Sequence, residues 1–175
     1  MFNKILCPLD GSDQANQALM LAIDMAKQYN VAVVLFHALL RNVNSSALQH
    51  FAEVEGLTKH VKPEVQRLQA MESRLELGGG PSYDDTATAS RLLVQVGQHI
   101  LDTAKQDAEE QGVSEVSTVL VDGDPADQII RCAEEQNVDC VVMGSRGLSG
   151  IESVFLGSVS HKVMNRVPCT CIAVK

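Results

Sequence analysis

Basic residues are in the minority: 14 lysines and arginines stand against 22 aspartates and glutamates, a formal net charge of −8 over 175 residues. General nucleic-acid binding needs a basic face that neutralises phosphates, so the balance argues against a nucleic-acid partner and leaves room only for a local anion site. Long apolar runs are also lacking. The longest, Val31 to Leu40, contains His37 and is far short of the roughly 20 residues that span a bilayer, so no membrane insertion is expected. The opening Met1-Phe2-Asn3-Lys4 leads straight into a strand-like segment with no signal-peptide cleavage pattern, and a cytoplasmic location is the expectation.

Cysteines are few and odd in number: Cys7, Cys132, Cys140, Cys169 and Cys171. That count gives a cytosolic chain no disulfide framework. Cys169 and Cys171 fall on one face of a strand. No Cys-x2-Cys and no clustered histidine accompany them, so they read as small core residues rather than metal ligands. Two phosphate-binding signatures are missing as well, G-x4-G-K-[ST] and a G-x-G-x2-G after a strand.

What is present is an ordinary globular composition, 45% hydrophobic and 21% charged, in a length that suits a single domain with a full core. Strand and helix patterns alternate. Lys4 to Leu9 reads as a strand. It is followed by Ala15, Ala18, Leu19, Ala22 and Ala26 at helical spacing, with Ser12 or Asp13 as N-cap. Val31 to His37 is a β-branched run suited to burial on both faces. Leu92 to Gly112 is a helix whose C′ residue is Gly112, and Val116 to Val121 is a third strand. Asp124-Pro125-Ala126-Asp127 starts a helix, with the first Asp as cap and Pro in the first helical position. Val138 to Met143 is a strand; Val159, Val163 and Val167 line a last helix, and Cys169 to Val174 is a fifth strand. This α/β alternation predicts a parallel sheet with helices on both faces and a ligand at the carboxyl ends of the strands, where strands one and four lie side by side.

Residues 38–91 break the alternation. They read as a helical insertion, in which Gly78 to Asp85 forms a flexible polar loop.

The chemistry concentrates after the fourth strand, where Gly144-Ser145-Arg146-Gly147 and, nine residues on, Gly157-Ser158 make G-x2-G-x9-G-S. Gly144 and Gly147 have no Cβ to obstruct a phosphate, Arg146 supplies a charged donor, and Ser158 offers a hydroxyl and an N–H at a helix start. The alternative is that the glycines only make turns and Ser158 only caps its helix. No general base stands beside this loop, so binding without fast turnover is the favoured chemistry.

Three pieces of the chain resemble the universal stress protein family: Ile5 to Ser12, Gly123-Asp124-Pro125-Ala126, and the stretch from Gly144 through Gly157-Ser158-Val159-Ser160 to Val167-Pro168-Cys169. The intact G-x2-G-x9-G-[ST] is the pattern of that family's ATP-binding branch. The resemblance implies an open, Rossmann-like five-stranded parallel sheet of order 3-2-1-4-5, and a homodimer, with the edge strand Cys169 to Lys175 as its expected pairing edge. It also implies an adenine nucleotide (ATP, ADP or AMP, a triphosphate bringing Mg²⁺) as ligand. Asp10 would contact the adenosine, Pro8 would shape its pocket, and the backbone at Ala38 would meet the adenine edge. Gly144, Arg146, Gly147, Gly157, Ser158 and Val159 would surround the phosphates, with Ser160 nearby.

Two other functions fit an α/β chain of this kind. A nucleotidyl transferase or ATP pyrophosphatase needs a signature gripping pyrophosphate, and Asp10-Gly11-Ser12-Asp13 is not S-G-G-x-D-S. A ligand-free dimeric interaction protein would have no use for the glycine pattern.

Overall fold

The computed structural model describes residues 3–39, 83–148 and 156–175. The elements run β1 (Lys4–Pro8), α1 (Asp13–Tyr29), β2 (Ala32–Ala38), α2 (Tyr83–Glu110), β3 (Val116–Val121), α3 (Pro125–Glu135), β4 (Cys140–Gly144), α4 (Ser158–Arg166) and β5 (Thr170–Val174). The strands form one sheet in the order β3-β2-β1-β4-β5, and every pairing is parallel. The chain falls into two compact units, Met1–Leu39 with Gly97–Lys175, and Leu40–Val96. The whole sheet belongs to the first.

The central strands are buried on both faces, as continuous apolar runs require. Leu6, Val34, Phe36 and Val141 point into a cluster with Ala126, Ile129, Ile130 and Ala133 of α3 and Val163 of α4. The intervening Ile5, Cys7, Val33 and Leu35 are fully buried on the other face. Burial pushes the Cys7 thiol up to about 12 and the Cys171 thiol to about 11, so these cysteines stay protonated. No group of three His, Cys, Asp or Glu able to hold a metal exists among the described residues, and none of their helices is long and apolar enough to cross a membrane.

Helix ends follow local chemistry. Ser12, not Asp13, caps α1, its Oγ accepting from the Ala15 N–H at 3.2 Å. Asp124 caps α3 through the Asp127 N–H at 3.0 Å, with Pro125 opening the helix. Gly112 takes the left-handed conformation past α2, at φ +94°.

Several boundaries differ from the sequence reading. β1 ends at Pro8 and not Leu9, β2 runs Ala32–Ala38, β4 runs Cys140–Gly144, and β5 begins at Thr170 and not Cys169. α2 begins at Tyr83, not Leu92, so Tyr83-Asp84-Asp85 is helix and not polar loop. Carboxylates favour a helix's first turn, which is where Asp84 and Asp85 stand. The rest of the insertion read at 38–91 lies, for residues 40–82, outside the described residues.

Lys162 of α4 bonds both Asp124 at 3.1 Å and Asp127 at 2.9 Å, and Arg166 bonds Asp127 at 2.7 Å. These pairs are exposed and add little stability individually. The cap matters more. Asp124→Ala should cost about 1 kcal/mol in urea denaturation. The Asp127 N–H, and after it Lys162, hold the Asp124 carboxyl below its ordinary 3.8. The difference between wild type and variant is therefore full above that value and shrinks as pH falls through the lowered one.

Candidate functional site

Strand order reverses between β1 and β4, and the loops leaving these two strands meet at the carboxyl edge of the sheet. Asp10 joins them. Its Oδ1 accepts from the Ser12 N–H at 3.0 Å and the Ser12 hydroxyl at 2.6 Å; its Oδ2 accepts from the Leu148 N–H at 3.2 Å. A carboxylate held by three donors, two from its own loop and one from the loop after β4, fixes one loop against the other.

The glycines around it answer to different neighbours. A methyl group on Gly147 would overlap Oδ2 of Asp10. One on Gly144 would lie 2.9 Å from the Arg146 carbonyl oxygen and 3.0–3.1 Å from the backbone of Gln14 and Ala15, where α1 begins. One on Gly157 would meet nothing among the described residues closer than the Ser145 carbonyl at 3.4 Å, an ordinary contact.

Gly157 is the N-cap of α4, with φ −70°, and no side chain caps the helix. Ser158 is therefore the first helical residue and not the cap, which removes one alternative left open by the spacing. The helix supplies no partner for its first N–H groups, those of Ser158, Val159 and Ser160. No acid stands in its first turn, whereas α1 and α3 each carry one there. Ser158 is exposed and Val159 half-buried. Ser160 turns inward, its hydroxyl shared between the carbonyls of Ser145 at 2.7 Å and Gly157 at 2.9 Å. Gly157 N–H also bonds the Ser145 carbonyl, at 2.8 Å, and the Ser145 N–H bonds Val174 at 2.6 Å. The loop is thus tied to α4 at one end and to β5 at the other.

Of the remaining sequence candidates, Arg146 is half-buried beside Gly157, its Cα 3.5 Å from where a Gly157 methyl would lie. Pro8 is the buried last residue of β1, and Ala38 is the buried last residue of β2, in register with Val121. The structure brings Asp10 together with Gly147, and Arg146 with Gly157 and Ser160. Pro8 and Ala38 stand at neighbouring strand ends along the same edge. Sequence reasoning missed Leu148 as a partner of Asp10, since a backbone donor leaves no mark on residue type.

The model of the universal stress protein family matches residues 1–175. The chain belongs to this family. It is 31% identical to the universal stress protein YxiE of Bacillus subtilis, over the full length of both chains. It is 30% identical to the universal stress protein MJ0531 of Methanocaldococcus jannaschii, over all of this chain and 83% of that one. Among solved structures it superposes on the universal stress protein UspA of Lactobacillus plantarum with TM-score 0.69, at 18% identity, covering 99% of this chain and 98% of that one. A universal stress protein in complex with dAMP, from Archaeoglobus fulgidus, gives TM-score 0.55 at 19% identity, covering 100% and 98%. At these identities the superpositions speak for the fold, the five-stranded 3-2-1-4-5 sheet of the family.

The Asp10–Gly147 apposition makes a prediction. Gly147→Ala should destabilise the fold by about 1–3 kcal/mol through overpacking. In an Asp10→Ala background the penalty should shrink, giving a coupling of at least about 0.5 kcal/mol in a double-mutant cycle read by urea denaturation. Additive effects would remove Asp10 as the reason for that glycine.

Proposed function

We propose that this universal stress protein is an adenine-nucleotide-binding regulatory module, with its phosphate site at the N-terminus of α4. The observation that carries the reading is that α4 begins on a glycine with no side-chain cap, beside a glycine-lined loop at the switch point of the sheet. Anions are favoured at such a terminus by its unpaired N–H groups and positive partial charge. Support comes from relatives of the same fold that have been solved with cAMP and with dAMP.

In this reading the N–H groups of Ser158 and Val159, the Ser158 hydroxyl and the Arg146 guanidinium hold phosphate. Gly144 and Gly147 keep the loop low, and Ser160 fixes the turn from behind. Asp10, Pro8 and Ala38 line the path of the adenosine. Several charge-assisted bonds of about 1.5–3 kcal/mol each would support micromolar affinity. ATP is the ligand we favour, with Mg²⁺ coordinated mainly by phosphate and water. Turnover is slow or nil in this reading, because the sequence supplies no obvious general base beside the phosphates. A cytoplasmic homodimer, paired through the edge strand β5, belongs to the same proposal.

Chromatography and mass spectrometry of whatever freshly purified protein releases on denaturation should find ATP, ADP or AMP. A protein that is empty and also fails to bind added ATP with Mg²⁺ would favour a ligand-free interaction protein. Gly157→Ala is the sharper variant, because the protein itself has room for the methyl. Stability should change by less than about 1 kcal/mol, while nucleotide affinity falls about tenfold or more in calorimetry. Unchanged affinity would remove α4 as the phosphate site.

A further inference from the structure

His37 is the one ionisable side chain in the long apolar run, and it is only 1% exposed. Its Nδ1 lies 2.8 Å from the Leu9 carbonyl oxygen. A carbonyl only accepts, so Nδ1 carries the proton and Nε2 is bare. Nε2 is buried with no hydrogen-bond partner among the described residues. The ring sits against Gly97 of α2: a methyl there would lie 2.7 Å from His37 Cδ2 and 2.8 Å from Leu120 Cδ1. Glycine inside a helix is destabilising by roughly 0.5–1 kcal/mol relative to alanine, and here it makes the seat for the imidazole. Leu9 is held a second time, its N–H bonding the Phe36 carbonyl at 2.8 Å. The next residue is Asp10.

We propose that His37 is a positioning residue for the nucleotide site. Through its Nδ1–H bond to the Leu9 carbonyl it sets the chain entering Asp10, and so the carboxylate that clamps Ser12 and Leu148. The link from this clamp to ligand affinity rests on the function proposed above; the link from His37 to the clamp does not.

The groups facing the ring define its acid behaviour. The loop after β1 presents the Leu9 carbonyl and Asp10, β3 presents Leu120, and α2 presents Gly97. Asp10 is the charged group among them. Burial lowers the His37 pKa below its ordinary 6.5, offset in part by the Leu9 bond and Asp10. The neutral ring's contribution is therefore full above about 6.5 and is lost as pH falls from there toward the lowered folded value. A proton on Nε2 has no acceptor, so the ring must move out to be solvated, and Leu9 is released.

The test compares His37→Asn, whose amide nitrogen can replace Nδ1, with His37→Gln, whose amide reaches the Nε2 position instead. Amide hydrogen exchange of Ser12 and Leu148 reads the clamp, and calorimetric titration with ATP and Mg²⁺ reads the site. Slow exchange and near-normal affinity are expected in H37N. In H37Q, both amides should exchange about tenfold faster and affinity should fall by up to about tenfold, the scale of one net hydrogen bond. Wild-type affinity should weaken as pH falls through the folded-state pKa of His37, which burial places below 6.5, while H37N stays flat. Unchanged exchange at both amides in H37Q overturns the proposal, even if that variant melts earlier. Should wild type bind no ATP, the nucleotide reading fails and the exchange data still decide the clamp.

Discussion

The carboxylate of Asp10 is the constraint on which the carboxyl edge of this sheet depends. It accepts from Ser12 within its own loop and from Leu148 across the sheet's switch point. It therefore ties the loop after β1 to the loop after β4 by direct hydrogen bonds. The same carboxylate accounts for Gly147, because any Cβ there would occupy the space of Oδ2. It also links to the α1 cap, since Ser12 donates its hydroxyl to Asp10 and accepts from the Ala15 N–H. One hydroxyl is thus used in both directions, and the entry of α1 is set together with the loop.

Strand topology makes this possible. β1 lies between β2 and β4, so residues just past its end are within reach of both neighbours. Asp10 reaches toward the β4 side at Leu148, while the Leu9 carbonyl reaches toward β2 at His37. β4 is held on its far side by β5, and the Ser145 N–H extends that pairing one residue beyond the strand. α4 is then anchored by Ser160 to the Ser145 carbonyl and by Lys162 and Arg166 to the start of α3.

Much of this was legible in the sequence, for physical reasons. β3 runs from Val116 to Val121 as its apolar pattern indicates. Asp124-Pro125 starts a helix because both residues suit only that position. The glycine spacing falls, as read, on the loop leaving β4 at the carboxyl edge of the sheet. Other features leave no trace in residue type. A choice between Ser12 and Asp13 as cap turns on backbone dihedrals, and the start of α2 was hidden because Asp84 and Asp85 are as typical of a loop as of a first helical turn. The Asp10–Leu148 bond could not be read, since its donor is a main-chain N–H. His37 was visible as an interruption of an apolar run, but its neighbour in function, Leu9, is 28 residues away in the chain.

The three glycines of the motif explain why its spacing alone is ambiguous between a turn and a binding site. Gly144 answers to the backbone at the start of α1, and Gly147 to the Asp10 carboxylate; both demands are internal and would hold in a protein with no ligand at all. Gly157 has no such demand. Its φ of −70° suits any residue, and a methyl there meets only ordinary contacts. Serine, threonine or aspartate at that position would cap α4 and add about 1 kcal/mol, as Ser12 and Asp124 do for their helices. In the function we propose, a phosphate approaching this helix start accounts for a glycine that no contact among the described residues requires, and the N–H groups of Ser158 and Val159 suit an acceptor rich in negative charge.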